Sequence, residues 1–247
     1  MRDVRIGKTA DPHFRAKPVE IVVGTGTDQV SYFVHDQQLR QHSAFFATAM
    51  EDGSGLMEGE VRKVELPKDE AVVFGDYVHW LCNSTIFYIR GAEGPDWQPL
   101  IKLYILAQKL LDGHCQDGII DALIQSSCEV GSDGSNWYPF TMNVDLVHKH
   151  TSVGSPLRRL MVGNRVYLGR ATRIDTITPH NNNLDFAVDL LTAFLTKRER
   201  SGDDWKIEGH CGGLETGIYH AHGKDEPCSG EVTVVGGYVV GGGGSLE

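Results

Sequence analysis

Four side chains late in the sequence, Cys211, His220, His222 and Cys228, are spaced C-x8-H-x-H-x5-C. Two thiolates and two imidazoles form a tetrahedral donor set of the kind that holds structural zinc, with no open position for water. The segment between them is rich in glycine and poor in apolar residues, so a metal could order what a core cannot. The spacing differs from the familiar finger patterns, and a disordered tail enriched in Cys and His is the alternative. These four are the expected metal ligands, and zinc is the one cofactor considered.

The remaining reactive residues do not assemble a catalytic pattern. No G-x-S-x-G elbow occurs, and the neighbours His42 and Ser43 lack an identifiable acid partner. His35 and Asp36 are adjacent, and adjacent helical residues do not face one another. His148 and His150 stand two apart in a helical stretch and do not share a face. Lys109 follows an apolar helix and reads as a solvated or snorkelling lysine. Gly24-Thr25-Gly26 lacks the third glycine of a dinucleotide fingerprint, and a strand follows where the phosphate-binding helix should begin. No catalytic or cofactor-binding residue is assigned, and no enzyme is expected.

These residues sit on a legible series of elements. Val19–Val23 and Tyr32–Val34 read as strands, joined by a hairpin loop over Gly24–Asp28. From Asp36 the periodicity becomes helical through Leu39, Phe46 and Met50, with Ser43 as the cap of a second helix. Val64–Leu66 is a short strand closed by Pro67. Asp69 is placed to cap a helix carrying Val73, Tyr77, Trp80 and Leu81. A Gly/Pro/Asp loop over 91–96 leads to a helix through Leu100, Leu103, Ala107 and Leu110, with Gly113 as its stop. Ile119, Ile120, Leu123 and Ile124 supply another helix. The pattern is α+β, a small sheet with helices packed on it.

Residues 129–139 have the composition of a linker. Helix-like turns follow over Asp145–Lys149 and Pro156–Val162. Asn183 can cap an amphipathic helix whose stripe is Leu184, Ala187, Val188, Leu191, Phe194 and Leu195. Lys197, Arg198 and Arg200 suit the C-terminal end of its dipole. The last seven residues, GGGGSLE, read as a flexible appended linker.

Composition excludes some partners. There are 33 acidic and 23 basic residues, a formal net charge of -10, so neutralising nucleic-acid phosphates is disfavoured. No apolar run approaches the roughly 18 residues of a membrane span, and the first residues lack the apolar stretch of a signal peptide. A cytoplasmic or nuclear location is expected, with no membrane partner. In that setting Cys82, Cys115, Cys128, Cys211 and Cys228 are expected as reduced thiols, an odd set at irregular spacing.

The run His35, Leu39, Ser43, Phe46 has the form H-x-x-x-L-x-x-x-S-x-x-F and resembles the first helical hairpin of BTB/POZ domains. Five further segments agree in order with the large fungal group of that family. They are Val19–Gly24, Glu58-Gly59-Glu60 with Val64–Pro67, Val73-Phe74 with Tyr77-Val78 and Trp80-Leu81, Leu103–Leu110, and Ile119–Leu123. The match covers just under half of the chain. In the extension, His150-Thr151-Ser152 with Ser155–Leu160, and Tyr219-His220-x-His222, are similar to segments that follow the domain in fungal members.

The resemblance implies a BTB/POZ fold over 17–127, after a flexible arm at 1–16. A linker would then span 128–139, a mainly helical extension 140–200, and a Gly/His-rich tail 201–247. It implies a protein-protein interaction module that associates with itself or other proteins through its first helix and N-terminal strands. His35, Asp36, Gln38 and Gln41 are the expected contact residues. The polarity of Gln37, Gln38, Arg40 and Gln41 implies a weak homodimer, with Val4-Arg5-Ile6 as the only candidate exchanged strand. The alternative is a substrate adaptor of a cullin-type ubiquitin ligase, with a cullin as partner.

Overall fold

The computed structural model describes residues 18–51, 62–91, 94–130, 134, 137, 141–169, 183–200 and 233–236. The arm at 1–16 and the Val4-Arg5-Ile6 segment lie outside the described residues.

Strand β1 (Pro18–Val23) pairs antiparallel with β2 (Val30–His35), in the register Val19 to Val34 and Ile21 to Tyr32. A short 3-10 turn (Gly26–Asp28) joins them, so the expected hairpin forms. Gly24 has φ +83, and a Cβ there would lie 2.9 Å from the Asp28 carbonyl oxygen; only glycine fits. β2 leads directly into α1 (Asp36–His42) and α2 (Ala44–Glu51). The chain then returns as β3 (Lys63–Leu66), parallel to β1, giving sheet order β2-β1-β3. Val19, Ile21, Val23 and Val34 turn inward from this sheet and are buried.

Helix α3 (Ala71–Asn83) begins after Glu70 without a side-chain cap. Asp69, expected as that cap, instead pairs with Lys109 Nζ at 2.5 Å. An ion pair to an exposed ammonium two residues ahead of the helix replaces the cap bond. After α3 the chain forms β4 (Thr85–Gly91) and β5 (Gly94–Asp96), paired antiparallel where a plain loop was expected over 91–96. The alternation explains β4: Ile86 and Tyr88 are buried, Phe87 and Ile89 exposed. A strand β6 (Thr233–Gly236) lies parallel on its other side, giving order β5-β4-β6.

Helix α4 (Gln98–Lys109) and α5 (Gly113–Cys128) pack against each other. Gly113, expected to stop α4, is instead the first residue of α5. The turn is made by Leu111 in the left-handed region at φ +55. Asp112 follows as the cap, its Oδ1 accepting from the Cys115 backbone N–H at 2.9 Å. Phe46, Trp80, Leu103, Ala107 and Leu110, the expected core, are all buried.

The elements read as helix-like turns are full helices, α6 (Thr141–His150) and α7 (Pro156–Leu168). Arg158 binds them together. It is buried, and its guanidinium donates to Thr151 Oγ1 at 3.1 Å, to the His148 carbonyl at 2.6 Å and to the Thr151 carbonyl. A cation is thus held by the open carbonyls that end α6. Asn164 of α7 donates to Ser127 Oγ of α5 at 3.2 Å. Val144, Val147, Leu157, Leu160 and Phe186 belong to the same hydrophobic cluster as Val19 and Leu123. Trp137 of the expected linker also packs against this cluster.

Helix α8 (Leu184–Arg200) starts as expected, with the Phe186 N–H donating to Asn183 Oδ1 at 3.1 Å. Its buried side is not the stripe read from the sequence. Phe186, Leu190 and Ala193 pack inward, Phe186 edge-on to His148 at 5.7 Å, and Lys197 Nζ lies 3.6 Å from the Tyr167 ring centroid. Leu184, Val188, Leu191 and Leu195 face outward.

Two outcomes follow for the core. Trp80→Ala, which empties a buried aromatic site, lowers unfolding free energy by about 3–5 kcal/mol in urea titration; an unchanged midpoint contradicts this packing. His148 is buried and lies near Arg158, and both effects lower its pKa, burial more; Asp189, Asp185 and Asp145 oppose them. The unfolded chain therefore takes up a proton near the ordinary value of about 6.5 while the folded chain resists it. Stability is flat above about pH 6.5 and falls as pH drops below it. The fall is shallower in His148→Phe, and an identical slope refutes the assignment.

Candidate interaction surface

The expected contact residues lie where β2 passes into α1. Leu39 is buried and fixes the orientation of the helix. At about 100° per residue, Gln38 and Gln41 fall about 60° apart on one face, while Asp36 lies well round the helix from both. Gln41 is exposed and Gln38 half-buried. The structure thus brings these two glutamines together and sets Asp36 apart.

Asp36 is occupied. Its Oδ1 accepts from Arg40 Nε at 2.5 Å and its Oδ2 from Arg62 Nη1 at 3.3 Å. Arg40 also donates to the Met50 carbonyl at 2.9 Å. This carboxylate therefore ties α1 to the end of α2 and to the entry of β3. His35 is half-buried at the junction itself. Ser31 and Phe33 point to the same side of β2 as His35, because alternate residues share a face. Phe33 is 64% exposed, and sequence reading missed it. The signal was available: Tyr32 anchors inward, donating to the Ala71 carbonyl at 2.6 Å, and Val34 is buried, so the residue between them must face out.

Beneath this surface lies a buried polar junction. Ser43 Oγ accepts from the Phe46 N–H at 3.1 Å, the cap bond expected for α2, and donates to the Leu110 carbonyl at 2.5 Å. Two residues on, Asp112 Oδ2 accepts from Tyr77 Oη at 3.1 Å. Burial raises the Asp112 pKa above the ordinary carboxylate value, against the opposing pull of the Cys115 N–H, His42 and Tyr77. Burial likewise pushes up Tyr77, with the Asp112 charge adding to it, and Cys115. Ser43, Tyr77, Asp112 and Cys115 are all fully enclosed, so no solute reaches them. Sequence reading found no acid for His42 and Ser43; Asp112 is that nearby acid, and its bonds fasten helices.

A cleft of about 280 Å³ opens between α3, α4 and α6. Val73, Ile105, Leu106 and Leu146 line it, and ion pairs border it: Lys102 to Glu70 at 2.7 Å and Lys109 to Asp69. These pairs are exposed and add little stability.

The expected zinc ligands Cys211, His220, His222 and Cys228 lie outside the described residues. Among the described residues, no group of three or more His, Cys, Asp and Glu side chains is arranged to hold a metal ion. Cys82 and Cys115 are free thiols. Cys128 is disulfide-bonded, contrary to the expectation of reduced thiols, and its partner lies outside the described residues. Spacing along the chain carries no information about such a long-range pairing. Among the described residues no helix is long and apolar enough to cross a membrane. No family model matches the chain, and no curated protein matches it.

The junction gives a direct test. Asp112→Ala removes the α5 cap and strands the Tyr77 hydroxyl, costing about 2–4 kcal/mol. Asp112→Asn keeps an acceptor for Cys115 and costs less. Because the folded carboxyl holds its proton more tightly than the unfolded one, its ionisation weakens the fold. That contribution to stability is present near pH 4 and is lost as pH rises through the raised folded value. Asp112→Asn abolishes the dependence; equal pH profiles for the two proteins contradict it.

Proposed function

We propose that this chain is a protein-protein interaction module of the BTB/POZ type, acting by association and not by catalysis. The observation that carries the reading is the helical hairpin α1/α2 mounted on the small sheet. Leu39 and Ser43 are buried beneath it, and Gln38, Gln41 and Phe33 are left at the surface. The H-x-x-x-L-x-x-x-S-x-x-F residues support it because each has a structural task here. Leu39 and Phe46 fill the core, Ser43 caps α2 and reaches the α4–α5 turn, and His35 stands at the strand-helix junction. The enclosed Ser43, Tyr77 and Asp112 serve packing, which favours binding over turnover.

The partner is another protein, with a second copy held weakly through the polar α1 face or a cullin as the alternatives; nucleic acid and membrane are not partners, and the chain acts in the cytoplasm or nucleus. Cys128 is disulfide-bonded while Cys82 and Cys115 are free, so zinc on Cys211, His220, His222 and Cys228 requires that disulfide to be reduced first; the metal would then brace the tail without taking part in binding. Elemental analysis of the reduced protein reads that directly.

The deciding experiment is affinity capture with the tagged chain and with a Phe33→Asp, Gln41→Glu variant, followed by mass spectrometry and a parallel assay against a purified cullin. The native chain retains a specific protein, and the variant, at an unchanged melting midpoint, retains at most about a tenth as much of it. Retention of the same proteins by both forms refutes this surface.

A further inference from the structure

Cys128 is the last residue of α5, half-buried against the hydrophobic cluster, and it is disulfide-bonded. Cys82 and Cys115 are free thiols. The chain has five cysteines, so by elimination the partner is Cys211 or Cys228. These precede Thr233, the first residue of β6, by 22 and five residues. Either bridge therefore joins the tail to the end of α5. β6 joins the same tail to β4, in the parallel register Thr85 to Thr233 and Tyr88 to Gly236.

The two attachments meet one patch of the fold. Beside Cys128, α5 is itself fastened to β4. Ser126 Oγ and Tyr88 Oη share a hydrogen bond of 3.1 Å, and Glu129 accepts from Tyr88 Oη at 3.4 Å and from Arg90 Nη1 at 2.6 Å. The strand that receives β6 thus lies against the helix that receives the disulfide. β6 is only four residues long. Ordering so short a strand costs about what its ladder bonds return, so it keeps its place when something else brings it there. Without the bridge, its connection to the rest of the fold runs from Arg200 at the end of α8, 33 residues before Thr233. A bridge at Cys211 or Cys228 shortens that connection, and the local concentration of a tethered strand rises as its tether shortens.

We propose that the Cys128 disulfide is a redox-sensitive strap that holds β6 on β4. A dithiol opens it by thiol–disulfide exchange. One thiolate of the dithiol attacks a bridge sulfur, and the other bridge sulfur leaves as a thiolate and takes up a proton. The second thiol of the reductant then displaces the remaining cysteine. Two electrons and two protons pass to the protein, two cysteine thiols form, and the reductant leaves as its own disulfide. β6 then parts from β4, and Thr85–Tyr88 becomes an open strand edge. In the cytoplasm or nucleus proposed above such a bridge is transient, so the edge opens and closes with redox state. The strap itself needs neither that location nor the α1 surface.

The test is hydrogen exchange read by mass spectrometry on the full chain, before and after a dithiol, with a chelator present so that no metal competes for the thiols. After free thiols are blocked, the oxidised protein yields a peptide joining Cys128 to Cys211 or Cys228, and amides 85–88 are protected. On reduction their exchange speeds at least about twofold, the effect of lengthening the shorter tether back to its full span. Leu103–Leu110 in α4 stays protected. Cys128→Ser exchanges fast at 85–88 with or without the dithiol. Cys211→Ser, Cys228→Ser does the same, and it separates loss of the bridge from disturbance at the half-buried Cys128. The proposal is overturned if the oxidised protein yields no such peptide, or if exchange at 85–88 ignores the dithiol. Equal acceleration in α4 also overturns it, because the disulfide then serves the whole fold and not one strand.

Discussion

The three residues Leu110, Leu111 and Asp112 tie helices α2 to α5 together. A tight turn between two helices leaves carbonyls and N–H groups that burial would make costly unless each finds a partner. Here the partners come from elsewhere in the sequence. Ser43 of the first helical hairpin reaches the Leu110 carbonyl, Tyr77 of α3 reaches the Asp112 carboxyl, and Asp112 in turn serves α5. Four helices are thereby fixed to one point by directional bonds, and the apolar side chains around it fill a shape already set. The cost is a carboxyl kept in surroundings that disfavour its charge.

The same logic recurs in the second half. Arg158 closes the end of α6 through two backbone carbonyls, and Asn164 joins α7 to Ser127. Such bonds make the extension continuous with the N-terminal core. The surface then divides into regions of different chemistry. Polar groups on α1 sit over a rigid hairpin, whereas the outer face of α8 is apolar on a helix whose inner face is already engaged.

Much of this was legible in the sequence where one short-range rule acted alone. Ser43 and Asn183 were read as caps because their side chains bond within three residues. The β1–β2 hairpin followed from two β-branched runs around glycines. The failures have a common cause: the deciding partner is distant. Asp69 had a suitable position for a cap but is drawn to Lys109 forty residues away. β4 has partners on both sides, and β6 comes from the far end of the chain. In α8, periodicity revealed an apolar stripe but could not say which of two faces meets the core. The α1 residues were correctly placed at a strand-helix junction, yet the engagement of Asp36 with Arg40 and Arg62 depended on β3 arriving beside it.

The position of β6 also bears on biosynthesis. A ribosome releases the chain from the N-terminus, so β4 emerges with β5 and the helices that bury Ile86 and Tyr88 long before Thr233 is made. During that interval one side of β4 presents unsatisfied N–H and carbonyl groups, with Phe87 and Ile89 beside them. The nascent chain therefore carries β4 with one edge open until Thr233–Gly236 has left the ribosome and can pair with it.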